Sequence, residues 1–492
     1  MGTVVDVHCH NFNGDDLPVR GFVRDVKLEG KRLGDAVATL VDRVVQAKAP
    51  DYEQELRRLD ALLGDALRAP ETESVPGAAT GEDTAVRAAV VPDLESRVRS
   101  ELREMAASDP YLLDAAAAEL EETAGDTLVE TEGIGDFTAA AARAMRWATI
   151  YASSRLDVTV HMVRQFGDSV DLFTPMLVDL EFGLNDRAKT SILHQVILQE
   201  RISRLSMLGR LPGVKRARIH PFVGFDPRRE ALTELRKEPV SALEDVQRAV
   251  TRYGFVGVKL YPPMGFRPLN NATKPGGPPG QDGVAVDRAL RRLYQWCLEE
   301  DVPVTAHCNI SNGARDAYDA FSDPDDWKTV LQEFPGLHLN LGHFGGMHGS
   351  VGPTMWPHKI AALARREDDA PGRNLYADVG NHRTDKKEFR SYMEQLRDVV
   401  FANEETRTMA DRLMYGSDWY MLAILPNVDD FMADYRGAYA AEFGANATDE
   451  FMGERALAFL GFDDPKNKNA VRLRERYERY APHRMPAWLA TG

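Results

Sequence analysis

Residues 4–10 read VVDVHCH, an apolar run that closes on two histidines one residue apart, His8 and His10. Strand side chains alternate between faces, so in an extended run both imidazoles share one face and Cys9 takes the other. Working outward, seven more short runs of this kind follow: FTPMLVDLE (173–181), ARIHPFVGF (217–225), FVGVKLYP (255–262), VPVTAHCN (302–309), HLNLGHFGG (338–346), NLYADVG (374–380) and LMYGSDW (413–419). Near-continuous apolar character marks parallel strands covered by helices. Amphipathic stretches such as 190–208, 285–300 and 386–401 lie between the runs and are long enough to cross back over a sheet. Strands alternating with helices predict an α/β protein, and a count of eight favours a closed (β/α)8 barrel over an open doubly wound sheet.

The first and second runs stand much further apart than one crossover helix requires. Most of the intervening chain is rich in Ala, Leu, Glu and Arg, as in EQELRRLDALLGDAL and DAAAAELEETA, and it reads as a large helical insertion. A Pro, Gly, Ala and Thr-rich stretch near 69–92 breaks it as a loop. Residues 428–480 again look helical. The expected organisation is a barrel over 1–30 and 166–462, an insertion over 31–165, and a C-terminal helical tail over 463–492. The insertion leaves the barrel just after His10, so its root belongs at the rim of the active face. It is read as a helical cap over the pocket or an oligomerisation lobe, since a segment of that size must bury its apolar stripes on something.

A net charge of −16, from 76 acidic and 60 basic residues, argues against a broad nucleic-acid surface. No stretch approaches 18 consecutive apolar residues, so no membrane span is expected. Only Cys9, Cys297 and Cys308 are present, too few for a disulfide framework, and no leader-like segment precedes the first run. The expected address is the cytoplasm and the expected partner a small-molecule substrate.

His307 ends the fifth run, His343 the sixth and Asp418 the eighth. A lone His in an apolar strand is more often a hydrogen-bonded core residue, and an HxH pair often does no more than end a strand. Five metal-competent side chains at the mouths of four strands are a different matter, because barrel chemistry is built at that face. Imidazole and carboxylate ligands suit Zn2+, and also Mn2+ or Fe2+.

His8-Cys9-His10, the GVKLYP run, TAHCN, LGHFGG, YGSDW and the late FMGERALAFLGF together resemble the amidohydrolase superfamily. The closest likeness is to its branch containing aminocarboxymuconate-semialdehyde decarboxylase and related metal-dependent hydrolases. An Asn usual in the late segment is replaced around Gly453-Glu454. The resemblance implies that His8, His10, His307 and Asp418 bind one divalent metal, most simply Zn2+, with His343 beside it. A divalent cation lowers the pKa of bound water to roughly 7. Asp418 can then accept a proton and later deliver it to the leaving group. His343 can orient the hydroxide or stabilise negative charge on the attacked oxygen.

Lys259 lies in GVKLYPP, where some superfamily members carry a carboxylated lysine bridging two metals, and KLYP also resembles the lysine region of dihydroorotase. An unmodified lysine that is structural or pairs with substrate is the preferred reading; a carboxylated one would bring a second metal, with His343 as its ligand. Arg267, Asn270 and Asn271, in the Gly and Pro-rich loop after the fourth run, are substrate candidates, with Arg267 a candidate anion anchor. Asn309 and Trp419 directly follow metal-site residues and are candidate pocket walls. His220 is read as core, and His348, His358 and His382 as weaker site candidates.

The function expected is metal-assisted hydrolysis of an amide, lactone or related carbon–heteroatom bond. Non-oxidative decarboxylation or hydration of an unsaturated or aromatic acid is the alternative within the enzymes. A silent barrel kept as a binding or assembly protein is the alternative outside them.

Overall fold

The computed structural model describes residues 2–18, 21, 49–64, 150–184, 186–237, 239–274, 276–278, 280–310, 313–346, 355–367, 370–380, 386–423 and 430–489. Most of the predicted insertion, and the candidates His348 and His382, lie outside the described residues.

The described residues form nine short strands: β1 (Val5–Cys9), β2 (Leu172–Pro175), β3 (Arg218–Ile219), β4 (Phe222–Phe225), β5 (Gly257–Leu260), β6 (Val304–His307), β7 (Leu339–Gly342), β8 (Leu375–Asp378) and β9 (Leu413–Met414). All their pairings are parallel. The run ARIHPFVGF, expected as one strand, is two: β3 and β4 are parted by His220 and Pro221, and proline brings no N–H to a ladder. β3 and β4 therefore fill one strand position, and the ring has eight.

The order runs β1-β2-β3 and then β4 to β9 in sequence. Met176 bridges to Phe222, with Leu177 N–H donating to Phe222 O at 2.9 Å. At the other seam Val7 N–H donates to Tyr415 O at 3.2 Å and Asp418 N–H to His8 O at 2.8 Å. The eight positions thus close into a (β/α)8 barrel.

Every strand residue is buried, as continuous apolar runs require when helices cover a sheet. The crossovers include Ile192–Leu208, Ala242–Tyr253, Gly283–Glu299, Pro324–Glu333, Trp356–Leu363 and Lys386–Val400. Several start on a side-chain cap, with Ser191, Ser241 and Asp282 accepting from His194, Glu244 and Ala285 N–H. Gly209 and Gly254 end two of them in the left-handed conformation that glycine adopts without cost.

Gly453 lies in the π-helical turn Glu450–Glu454 against the start of β1. A Cβ there would come within 1.8 Å of Thr3 O, so only glycine lets this turn abut the strand that carries His8. After it, Arg455–Leu460 and Lys468–Tyr480 make the helical C-terminal region. Among the described residues no helix is long and apolar enough to cross a membrane.

Two described helices belong to the predicted insertion, Tyr52–Leu63 and Arg155–Phe166. Asp51 opens the first with a capping box to Gln54, and Ser154 caps the second through Asp157 N–H. Both are tied to the barrel by a fully buried ion network. Arg155 donates to both Asp16 carboxylate oxygens at 2.8 and 2.6 Å, to Glu55 Oε2 at 2.5 Å and to Thr190 Oγ1 at 2.9 Å. Just after His10, Asn11 exchanges hydrogen bonds with Gln199 and donates to Thr159 Oγ1, all at 2.9 Å.

Candidate metal centre

His8 lies in β1 and His10 directly follows it; Lys259 lies in β5, His307 ends β6, His343 follows β7, Asp378 ends β8 and Asp418 follows β9. All seven thus gather toward the strand carboxyl ends. Backbone strain gathers there too: His343, Phe344 and Asp418 have φ of 63, 47 and 48°.

Among the described residues two groups of potential ligands form, each with atoms within 4.8 Å of one another: His8, His10 and Asp418, and His8, His343 and Asp378. His10 Nδ1 lies 2.9 Å from Met176 O. A carbonyl only accepts, so Nδ1 carries the proton and Nε2 the lone pair. That Nε2 sits 3.8 Å from Asp418 Oδ1, too long for a hydrogen bond and suited to two atoms sharing one cation at roughly 2.0–2.2 Å each. Burial pushes His10 down to about 3 against the pull of Asp418, so the ring is the neutral base a metal needs.

His8 turns Nδ1 to Asp378, 2.9 Å from each oxygen, and Nε2 to Lys259 Nζ at 3.4 Å. Glycines make the room. A Cβ on Gly416 would lie 2.7 Å from His8 Cβ, and one on Gly342 3.1 Å from His8 Cε1. Two neutral-capable imidazoles, one carboxylate and a backbone cut away around them fit a divalent cation.

His307 is in neither group; its ring stacks on Tyr261 at 4.4 Å and meets His343 edge-on at 4.8 Å. His343 faces Gly380 O through Nδ1 at 3.5 Å, and burial pushes it down to about 4. Burial also draws the Lys259 ammonium down to about 8, against Asp378 and Asp418. Burial alone would raise the Asp378 carboxyl, but His8, His343 and Asn340 outweigh it and hold it well below the usual carboxylate range.

Over residues 210–462, just over half of the chain, the sequence matches the family model described as Amidohydrolase. The chain belongs to the amidohydrolase family. The matched stretch carries Lys259, His307, His343, Asp378 and Asp418 and begins after His8 and His10. Comparison with curated proteins gives no match.

Among solved structures, an amidohydrolase from Burkholderia multivorans with bound zinc is 13% identical at a TM-score of 0.37, covering 62% of this chain and 87% of its own. A protein from Lactobacillus casei described as a metal-dependent hydrolase is also 13% identical, at 0.38, covering 94% and 96%. Dihydroorotase from Campylobacter jejuni is 12% identical at 0.34, covering 61% and 79%.

In this amidohydrolase-family chain several of the other sequence candidates are engaged away from the centre, and His220 is core as read. Arg267, expected as an anion anchor, pairs with Asp326 at 2.8 Å and lies over the Phe321 ring, so its charge is already answered by the helix Pro324–Glu333. Asn271 bonds the Arg267 backbone and Asp287, and Asn270 donates to Thr329 Oγ1 at 3.3 Å; both brace the same loop. Trp419, expected as a pocket wall, is fully buried and donates its indole N–H to Gln165 at 2.6 Å, so it supports the Asp418 turn from behind. Asn309 keeps a buried Oδ1 with no partner among the described residues. His220 is core, between Ser203 and Tyr477, and His358 lies half-buried on the helix Trp356–Leu363.

Asp378 was not singled out in the sequence. The signal was there, an acid ending an apolar strand run in NLYADVG at the position where the other runs place His307 and His343. A cavity of about 140 Å³ lined by Val256, Asn469, Arg472 and Arg476 lies beside the amino end of β5 and is no part of this centre.

Proposed function

We propose that this chain is a metal-dependent hydrolase that cleaves an amide, lactone or related carbon–heteroatom bond of a small molecule. The observation that supports this most is the convergence of His8, His10 and Asp418 on one barrel mouth, with the lone pair of His10 held toward Asp418 by the Met176 carbonyl. These three residues would hold one divalent cation, and zinc is the first choice for the donor set. When bound, such a cation polarises a substrate carbonyl and a water molecule.

The chain's own groups then divide the remaining work. His343 turns Nδ1–H to Gly380 O, so its Nε2 accepts and can orient the attacking water. That geometry favours orientation over donation to an oxyanion. The Asp418 carboxylate accepts the water's proton and returns it to the leaving group. Lys259, as an unmodified ammonium, offers a cationic contact to an anionic group of the substrate.

The test is turnover of a panel of lactones, cyclic amides and unsaturated acids by zinc-loaded protein in oxygen-labelled water. Label in the product, lost with the metal under a chelator, is the result expected. Carbon dioxide release without label would replace the hydrolase by a decarboxylase, and turnover untouched by chelator would remove the metal from the reaction. Intact mass reads Lys259 directly: the unmodified mass is expected, and a carboxylated lysine with two metals per chain would move the protein to the binuclear hydrolases.

A further inference from the structure

Asp378 could serve as a ligand or as a support, and lone-pair counting decides between them. Its carboxylate is fully buried. Oδ1 receives the His343 N–H at 3.1 Å and the Gly380 N–H at 3.0 Å, and lies 2.9 Å from His8 Nδ1. Oδ2 receives Asn340 Nδ2–H at 2.8 Å and also lies 2.9 Å from His8 Nδ1. Asn340 is fixed in turn, because its Oδ1 accepts the Asp378 N–H at 2.8 Å and so its amide must present N–H to Oδ2. A carboxylate has about four lone-pair sites, and donors aim at all of them.

We infer that Asp378 is a positioning residue that holds His8 as the Nδ1–H tautomer, leaving Nε2 as the ligand atom, and is not itself a metal ligand. A carboxylate that only accepts must be met by an N–H, so the His8 proton sits on Nδ1. The same carboxylate anchors the His343 backbone where φ is 63°, and one buried group thereby sets the ring of His8 and the turn that carries His343. A carboxylate behind a ligating imidazole fixes tautomer and ring plane and raises the basicity of the ligand nitrogen.

The value of Nε2 to a metal rests on the function proposed above; the tautomer does not. The test therefore starts with metal-free protein labelled with 15N at histidine, His8 being assigned by the signal lost in His8→Gln. Ring nitrogen shifts are expected to show Nδ1–H at His8. Asp378→Leu removes every acceptor from Nδ1 and is expected to abolish the Nδ1–H preference, giving a mixture of the two tautomers. Zinc affinity, titrated against a competing chelator, is expected to fall about 10- to 100-fold in that variant. An Nε2–H tautomer in the natural protein, or a tautomer preference unchanged in Asp378→Leu, would overturn the assignment. Should the variant not fold, the natural protein alone decides the tautomer. Should the natural protein bind no zinc, the hydrolase reading fails while the tautomer result stands.

Discussion

Asp6 and Ser417, 411 residues apart, are joined by two hydrogen bonds: Ser417 N–H donates to Asp6 Oδ1 at 2.9 Å and its hydroxyl to Oδ2 at 2.6 Å. The next residue repeats the link, with Asp418 N–H donating to His8 O at 2.8 Å. These successive rungs tie β1 to the turn after β9 and hold Asp418 in a left-handed conformation that Asp tolerates better than most residues. Both side chains are fully buried, and that burial lifts the Asp6 carboxyl to about 7 even against the Ser417 bonds.

Ser417→Ala leaves Asp6 Oδ2 without its hydroxyl partner in a dry site, which costs about 1–3 kcal/mol. Urea denaturation of metal-free protein measures it directly. A loss under a few tenths of a kcal/mol would mean that water replaces the hydroxyl and the joint is not sealed.

Arg155 is the hub between the two described insertion helices and the barrel, and no part of its side chain is exposed. Arg155→Met strands Asp16 and Glu55 as buried carboxylates and is expected to lower stability by about 3–5 kcal/mol. Adding Glu55→Gln should recover part of that loss, and strict additivity of the two changes would show that the pair is not coupled.

The strand runs and the residues at their ends were legible because burial on both faces leaves a continuous apolar signature, and His and Asp at its end are conspicuous. Asp378 and Asp6 were not, since each is an acid in an apolar run whose meaning depends on Asn340, His8 or Ser417, and no local pattern announces those partners. Arg267 misled for the converse reason: an arginine in a mouth loop reads as an anchor until Asp326 is seen to answer it. Composition placed residues 155–165 in the insertion; what it could not announce is that Thr159 and Gln165 bond residues adjoining His10 and Asp418.

His220 supplies a pH test away from the metal centre. Burial, with Arg476 and Arg218 nearby, pushes its imidazole well below 6.5, and its ring nitrogens meet Ser203 Oγ and Tyr477 OH. The folded chain therefore resists a proton that the unfolded chain accepts. The contribution of neutral His220 is full above about pH 6.5 and is lost as pH falls below it, at up to about 1.4 kcal/mol per pH unit. His220→Gln removes this titration, so its stability should fall less than that of the natural protein between about pH 7 and pH 5. Parallel curves would refute the assignment.

Asp418→Asn keeps an oxygen for the cation but cannot accept a proton. Turnover is expected to drop by at least about a hundredfold while much of the bound metal remains. Near-normal turnover would shift the base to His343 or to the substrate.

The last prediction separates the anchored ends of the insertion from what lies between them. Tyr52–Leu63 and Arg155–Phe166 are tied into the barrel through Glu55, Arg155, Thr159 and Gln165, and the last of these braces the tryptophan next to Asp418. Replacing residues 65–149 by a Gly/Ser linker leaves every one of these contacts in place, so the trimmed protein should fold with nearly unchanged unfolding midpoint. Replacing residues 36–150 also deletes Glu55 and the helix Tyr52–Leu63, leaves Arg155 Nη1 without its carboxylate partner while Asp16 still answers the charge, and should destabilise the barrel by about 1–3 kcal/mol. Equal stability of the two variants would show that the ion network does not hold the insertion down. The 65–149 deletion also tests the reading of residues 31–165 as a cap. The shorter deletion should then raise the Michaelis constant, and unchanged Michaelis constant and turnover would rule the cap out.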